Sequence, residues 1–231
     1  MNVYFLVEGQ STEADVYPIW LSYLIPELSR VEFFDEIETN NYYLFSSYGI
    51  PHIENDIVNA IKDINSVGKY KYLVICLDDD AATVSQRETK IQNILISESL
   101  ELSASLKIIV QNRCIETWFL GNRKIYTRNP QNNPNFIKYS SYYNVCRNDP
   151  ELMEKPSTHE GSIADFHVAY LRSMFLERGN MRYSKNNSKE IQKKSYLEEL
   201  QNRVIDCPEH LKSFLNFIDI CAEIREELLS K

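Results

Sequence analysis

Four apolar residues, Val74-Ile75-Cys76-Leu77, run straight into three carboxylates, Asp78-Asp79-Asp80. Adjacent like charges repel, and the repulsion grows in poorly polarisable surroundings, so a buried strand that ends this way needs something to offset the cost. A divalent cation is one answer and solvent is the other. A second charged break follows the apolar run Val3–Val7, at Glu8-Gly9. Gly9 permits a tight turn and lets a ligand approach the backbone. Two carboxylates two residues apart, such as Asp78 and Asp80, both reach one cation if the loop curls. Oxygen-only ligation suits Mg²⁺ or Mn²⁺, which keep several waters and draw on substrate phosphates for the rest of their shell. The alternative for the acidic triplet is a solvated loop or a helix N-terminal cap, where aspartate is favourable.

The elements that must position these acids are legible from hydrophobic spacing. Val3–Val7 is continuously apolar, as in a strand covered on both faces of a parallel sheet. Ser11 or Thr12 then caps a helix expected from about Glu13 to Leu28, with Val16, Ile19, Trp20, Tyr23 and Leu24 at helical spacing. Tyr42–Phe45 reads as a second strand, and Ile53, Ile57, Val58, Ile61 and Ile64 mark a second helix opened by Pro51. Tyr72–Leu77 is the third and most apolar strand. A polar helix from about Thr83 to Ser103, a fourth strand at Leu106–Val110 and a short helix at Arg113–Leu120 with Gly121 as its stop complete the alternation. Such alternation with short connections predicts an α/β fold with an open, mainly parallel four-stranded sheet flanked by helices. Ligands of such sheets gather at the carboxyl ends of the strands, where Glu8 and Asp78 both fall.

Beyond this core, expected over residues 1–122, residues 123–161 are rich in Asn, Pro, Tyr and Ser and read as an irregular connecting region. Residues 162–231 carry helical patterns at Ile163–Leu176, Ser188–Val204 and Pro208–Leu229, a mostly helical C-terminal extension. The chain of 231 residues carries a net charge of −8, which speaks against a protein coated for nucleic acid, yet the charge is uneven. Residues 1–66 hold eleven Asp/Glu and two Lys/Arg, whereas Lys107–Arg147 holds seven Lys/Arg and the single acid Glu116. An acidic front and a basic back suit a metal site beside a phosphate-binding surface, or simply solvated helix faces. The five cysteines are scattered and never in CxxC spacing, as in a reducing compartment, and the four histidines do not pair at metal-ligand spacing. The N-terminus lacks the basic region of a signal peptide, and no apolar run approaches the roughly 20 residues of a membrane span, so the expected location is the cytoplasm without membrane contact. No GxxxxGK[ST], GxGxxG or GxSxG motif is present.

"FLVEGQSTE", "YLVICLDDD" and "NRCIETWFLG" together resemble the TOPRIM superfamily, and within it the stand-alone proteins of bacterial defence loci, the RloB-like and overcoming-lysogenisation-defect-nuclease-like groups. The resemblance covers about residues 1–121. It implies that Asp78 and Asp80 hold one or two Mg²⁺ or Mn²⁺ ions, with Asp79 leaving the register of the pair open. Glu8 is then a metal ligand or the general acid/base, and Glu13 an assisting ligand or a first-turn helix acid. Glu116, after the fourth strand and among core residues, is a further ligand or supporting acid. Arg113 either pairs with it or holds a phosphate. "RGNMRYSKNN" offers Arg178, Arg182 and Lys185 to nucleic acid with Tyr183 to stack on a base, or is a basic loop between helices. The implied activity is divalent-metal-dependent phosphodiester hydrolysis of DNA or RNA (tRNA included) in anti-phage defence, under a separate ABC-type ATPase partner. A non-catalytic TOPRIM-like binding subunit is the alternative. A phosphoacceptor receiver is disfavoured, because it wants its acidic pair after strand one rather than strand three.

Overall fold

The structure, a computed structural model, describes residues 1–49, 52–79, 84–179 and 181–230, with Val84 described only in its backbone. Asp80 lies outside them. The chain divides into two units, residues 1–110 with 216–231 and residues 111–215.

The first unit is built on five parallel strands rather than the expected four: β1 Val3–Val7, β2 Ser29–Arg30, β3 Asn41–Ser46, β4 Tyr72–Asp78 and β5 Ser105–Gln111. Their order is β2-β3-β1-β4-β5. The additional strand pairs only Ser29 with Asn41 and Arg30 with Tyr42. Two exposed polar residues carry no alternation, so nothing in their composition marks a strand. The helices are α1 Thr12–Leu24, α2 His52–Val67 and α3 Val84–Ser97. α1 stops short of the expected Leu28 because Pro26 disfavours the helical conformation of the residue before it. α3 stops short of Ser103, with Ser99 in the left-handed region at φ 50°.

Both faces of the sheet are covered, which is why β1 and β4 are apolar throughout. Tyr4, Leu6, Leu73, Ile75 and Leu77 pack on one face with Ile53, Ile57, Ile61 and Ile64 of α2 and Ile91 of α3. On the opposite face lie Val3, Phe5, Val74 and Cys76, all fully buried. There Tyr17 and Trp20 of α1 meet the ring of Phe217, at centroid distances of 5.3 and 6.4 Å. Phe217 belongs to α8 (Lys212–Leu229). Each large side chain buried this way stabilises the fold by roughly 1.5–3 kcal/mol. Burial pushes the Cys76 thiol up to about 12, so it packs as a small hydrophobe rather than reacting.

The second unit is helical: α4 Ile115–Phe119, α5 Pro134–Tyr142, a 3-10 turn at Pro150–Leu152, α6 Ile163–Glu177 and α7 Lys194–Asp206. α5 and the 3-10 turn fall where an irregular connection was expected. Asn133 caps α5 by accepting the Phe136 N–H at 3.1 Å, with Pro134 opening the helix. α7 begins at Lys194 rather than Ser188, after turns that include the Ser184–Asn187 bridge. Among the described residues no helix is long and apolar enough to cross a membrane.

His167 of α6 sits in this interior with Nε2 at 2.9 Å from the Met153 carbonyl and Nδ1 at 2.8 Å from Thr117 Oγ1. A carbonyl only accepts, so Nε2 carries the proton and Nδ1 accepts from the threonine. Burial lowers the His167 pKa from 6.5 to about 4. The unfolded chain therefore binds a proton at this site before the folded one does. The stability tied to the neutral ring is present above pH 6.5 and is lost as pH falls toward about 4. In urea unfolding, wild type is expected to lose about 2–3 kcal/mol more across that interval than His167→Gln does. Parallel pH profiles for the two proteins contradict the assignment.

Candidate functional site

The acids after β1 and β4 meet because of the sheet's order. The two strands are parallel neighbours with Val7 opposite Cys76, so both carboxyl ends reach the same edge. The pairing continues one residue further, with Glu8 N–H donating to the Cys76 carbonyl at 3.0 Å. On the other side, Ser47 N–H donates to the Val7 carbonyl at 2.8 Å and Gly49 N–H to the Glu8 carbonyl at 3.2 Å. Glu8 is thus fixed by its backbone from both flanks. Its side chain crosses to the neighbouring strand, where Oε2 accepts the Asp78 N–H at 3.0 Å. The chain leaves β1 toward β3 in one direction and returns to β4 on the other side, so this edge is also where the strand order reverses. Crevices at such reversals are the usual ligand positions of open α/β sheets.

Glu13 stands in the first turn of α1, and Glu8 and Glu13 are each only 8% exposed. Gly9 is what admits the second acid, because a Cβ built on Gly9 would run into the Glu13 carboxylate. Asp78 is half-buried at the end of β4, and Asp79 beside it is buried. The Oδ1 atoms of both aspartates are shielded from solvent. Carboxylates so withdrawn from water are costly unless something compensates them. The donors gathered here are all hard oxygens, the chemistry that Mg²⁺ and Mn²⁺ require. Among the described residues, no three of His, Cys, Asp and Glu are arranged to hold an ion by themselves.

The Gly9 contact yields a direct expectation. Gly9→Ala moves the flexible end of Glu13 rather than backbone, so its stability cost stays within about 1 kcal/mol. Divalent-ion affinity is expected to fall by about as much as in Glu13→Gln, read by titration calorimetry on both variants. Full affinity in Gly9→Ala would place Glu13 outside the site.

Glu116 opens α4 in the second unit, 3% exposed, and accepts the Tyr183 hydroxyl at 2.6 Å. Tyr183 is itself buried between the rings of Phe119 and Phe175, so it is a core side chain and not a surface for stacking a base. Arg113 takes a positive φ of 74°, and its guanidinium pairs with Glu154 at 2.7 Å. Arg178, Arg182 and Lys185 are exposed around the turn that follows α6. Ser47, whose hydroxyl donates to Asp56 at 2.6 Å while its N–H holds the end of β1, was not singled out from sequence. Neither serine of "FSSYG" carries a sequence signal of that role.

Fold and site together define an open, all-parallel α/β protein with an acidic edge at the strand-order reversal. No family model, curated protein or solved structure matches the chain.

Proposed function

We propose that the protein is a divalent-metal-dependent nuclease of TOPRIM type. The observation that carries this reading is the parallel pairing of β1 with β4, which puts the acids after both strands on one edge, where Glu8 Oε2 accepts the Asp78 N–H at 3.0 Å. Glu8, Glu13 and Asp78, with Asp80, are the residues that would hold Mg²⁺ or Mn²⁺. When bound, such an ion polarises a phosphodiester and lowers the pKa of its water. The chain's own part is to hold three carboxylates at a fixed edge and to exclude bulk water from Glu8 and Glu13. Glu8 Oε2 is held by the Asp78 N–H, and Oε1 is the atom that would bind the ion. The likeness of "FLVEGQSTE", "YLVICLDDD" and "NRCIETWFLG" to defence-type TOPRIM proteins supports a role in anti-phage defence alongside a separate ABC-type ATPase.

A non-catalytic binding subunit is the second reading, favoured by the lack of a three-ligand group among the described residues. One assay separates them. Purified protein is incubated with supercoiled plasmid and with tRNA in Mg²⁺ or Mn²⁺, against an EDTA control and Asp78→Asn. Cleavage that needs the ion and is lost in Asp78→Asn supports the nuclease. Binding without cleavage of either substrate supports the second reading.

A further inference from the structure

We propose that a cleft of about 750 Å³ in the second unit, framed by Arg123, Lys124, Arg128 and Arg147, seats the phosphate backbone of a nucleic-acid strand. The choice of ligand rests on the phosphodiester reading above; the cleft itself does not.

Four cations face this cleft against two carboxylates, Glu199 and Asp206, in a chain whose net charge is −8. Both carboxylates are engaged. Glu199 pairs with Arg123 at 3.3 Å and with Lys124 at 3.2 Å, and Asp206 pairs with Arg123 at 2.6 Å. Arg128 and Arg147 are exposed, and among the described residues neither has a carboxylate within ion-pair distance. Two uncompensated guanidinium groups lining one cleft suit the oxygens of phosphodiesters, which their planar forks bind in bidentate fashion.

The cleft is also locally built. Asn144 Oδ1 accepts the N–H groups of Cys146 and Arg147 at 3.1 and 3.2 Å, which fixes the turn that presents Arg147. Asn122 Oδ1 accepts those of Lys124 and Ile125 at 3.0 and 3.2 Å, which fixes the turn that presents Lys124. Tyr126 lines the cleft but is only 7% exposed, and its ring packs edge-on against Phe136 at 5.3 Å. With no aromatic face offered to a base, recognition runs through the backbone and is insensitive to sequence.

The test uses full-length protein in EDTA, so that metal chemistry does not enter. Fluorescence anisotropy follows a labelled single-stranded oligouridylate over a range of salt concentrations. Arg128→Gln/Arg147→Gln is expected to bind at least about tenfold more weakly, with a salt slope reduced by about 1.4 for two lost phosphate contacts. Lys138→Gln, an exposed cation outside the cleft, is expected to match wild type. As a second readout, the oligonucleotide should slow alkylation of Cys146, which lines the cleft, without slowing Cys207, which does not. The proposal is overturned if wild type fails to bind, if the double variant binds as wild type, or if Lys138→Gln weakens binding equally. Protection of Cys146 by ATP as complete as that by the oligonucleotide also overturns it, since the cleft is then a small-anion site. Loss of cleavage in Asp78→Asn with oligonucleotide binding retained leaves the cleft standing. Cleavage with no binding defect in the double variant removes the cleft and leaves the nuclease reading in place.

Discussion

Glu8→Gln is expected to lower metal-dependent cleavage at least about 100-fold while leaving the fold as stable as wild type or slightly more so. The amide keeps the length of the side chain, and its oxygen still accepts the Asp78 N–H now bonded at 3.0 Å. What it removes is one negative charge from an edge that also carries Glu13, Asp78 and Asp79. Like charges gathered in a shielded place repel one another, so neutralising one is expected to change the stability of the fold by no more than about 1 kcal/mol. A residue kept for packing gives the opposite pattern, with stability falling and activity following it. Cleavage rates and urea midpoints measured on the same preparation distinguish the two. Undiminished cleavage in a destabilised Glu8→Gln would make the acid structural.

Arg203→Met is expected to be the most destabilising single substitution in the second unit, at about 3–5 kcal/mol. Arg203 is fully buried in α7. Its guanidinium donates to the carbonyls of Gly121 at 3.0 Å, Val145 at 2.7 Å and Asn148 at 2.8 Å, and lies 3.1 Å from His210 Nδ1. Burial lowers its pKa while the neighbouring Asp149 carboxylate works the other way. Methionine fills much of the volume but leaves three carbonyls facing an apolar side chain, each a buried acceptor with its partner removed. Denaturant unfolding of wild type and variant measures the loss. A change below about 1 kcal/mol would mean that water replaces the guanidinium at those carbonyls.

The parallel sheet was legible because Val3–Val7 and Tyr72–Leu77 are apolar at every position, the pattern of strands covered on both faces, and alternate with helical patterns. The edge strand Ser29–Arg30 was not, because two polar residues paired by backbone alone leave no side-chain signature. α5 did announce itself, since Asn133 followed by Pro134 is a helix start. The surrounding Asn and Pro residues masked that signal as loop composition. At the site, strand ends located Glu8 and Asp78 correctly with respect to the sheet edge. The bond between them, and the dependence of Glu13 on Gly9, required coordinates. Asp80 lies outside the described residues, so the register of the aspartate pair rests on sequence. The excess of cations between Lys107 and Arg147 was visible as a count, but charge tallies carry no direction. That Arg123, Lys124, Arg128 and Arg147 line one cleft required coordinates, as did the turns by which Asn122 and Asn144 present Lys124 and Arg147.

Titration of the metal-free protein with Mn²⁺, followed by calorimetry, asks whether the acids at the ends of β1 and β4 share an ion. Wild type is expected to take up one or two ions, and Asp78→Asn and Glu8→Gln each to bind at least about tenfold more weakly. Wild type that takes up neither Mn²⁺ nor Mg²⁺, or variants that bind as wild type does, would contradict the shared site.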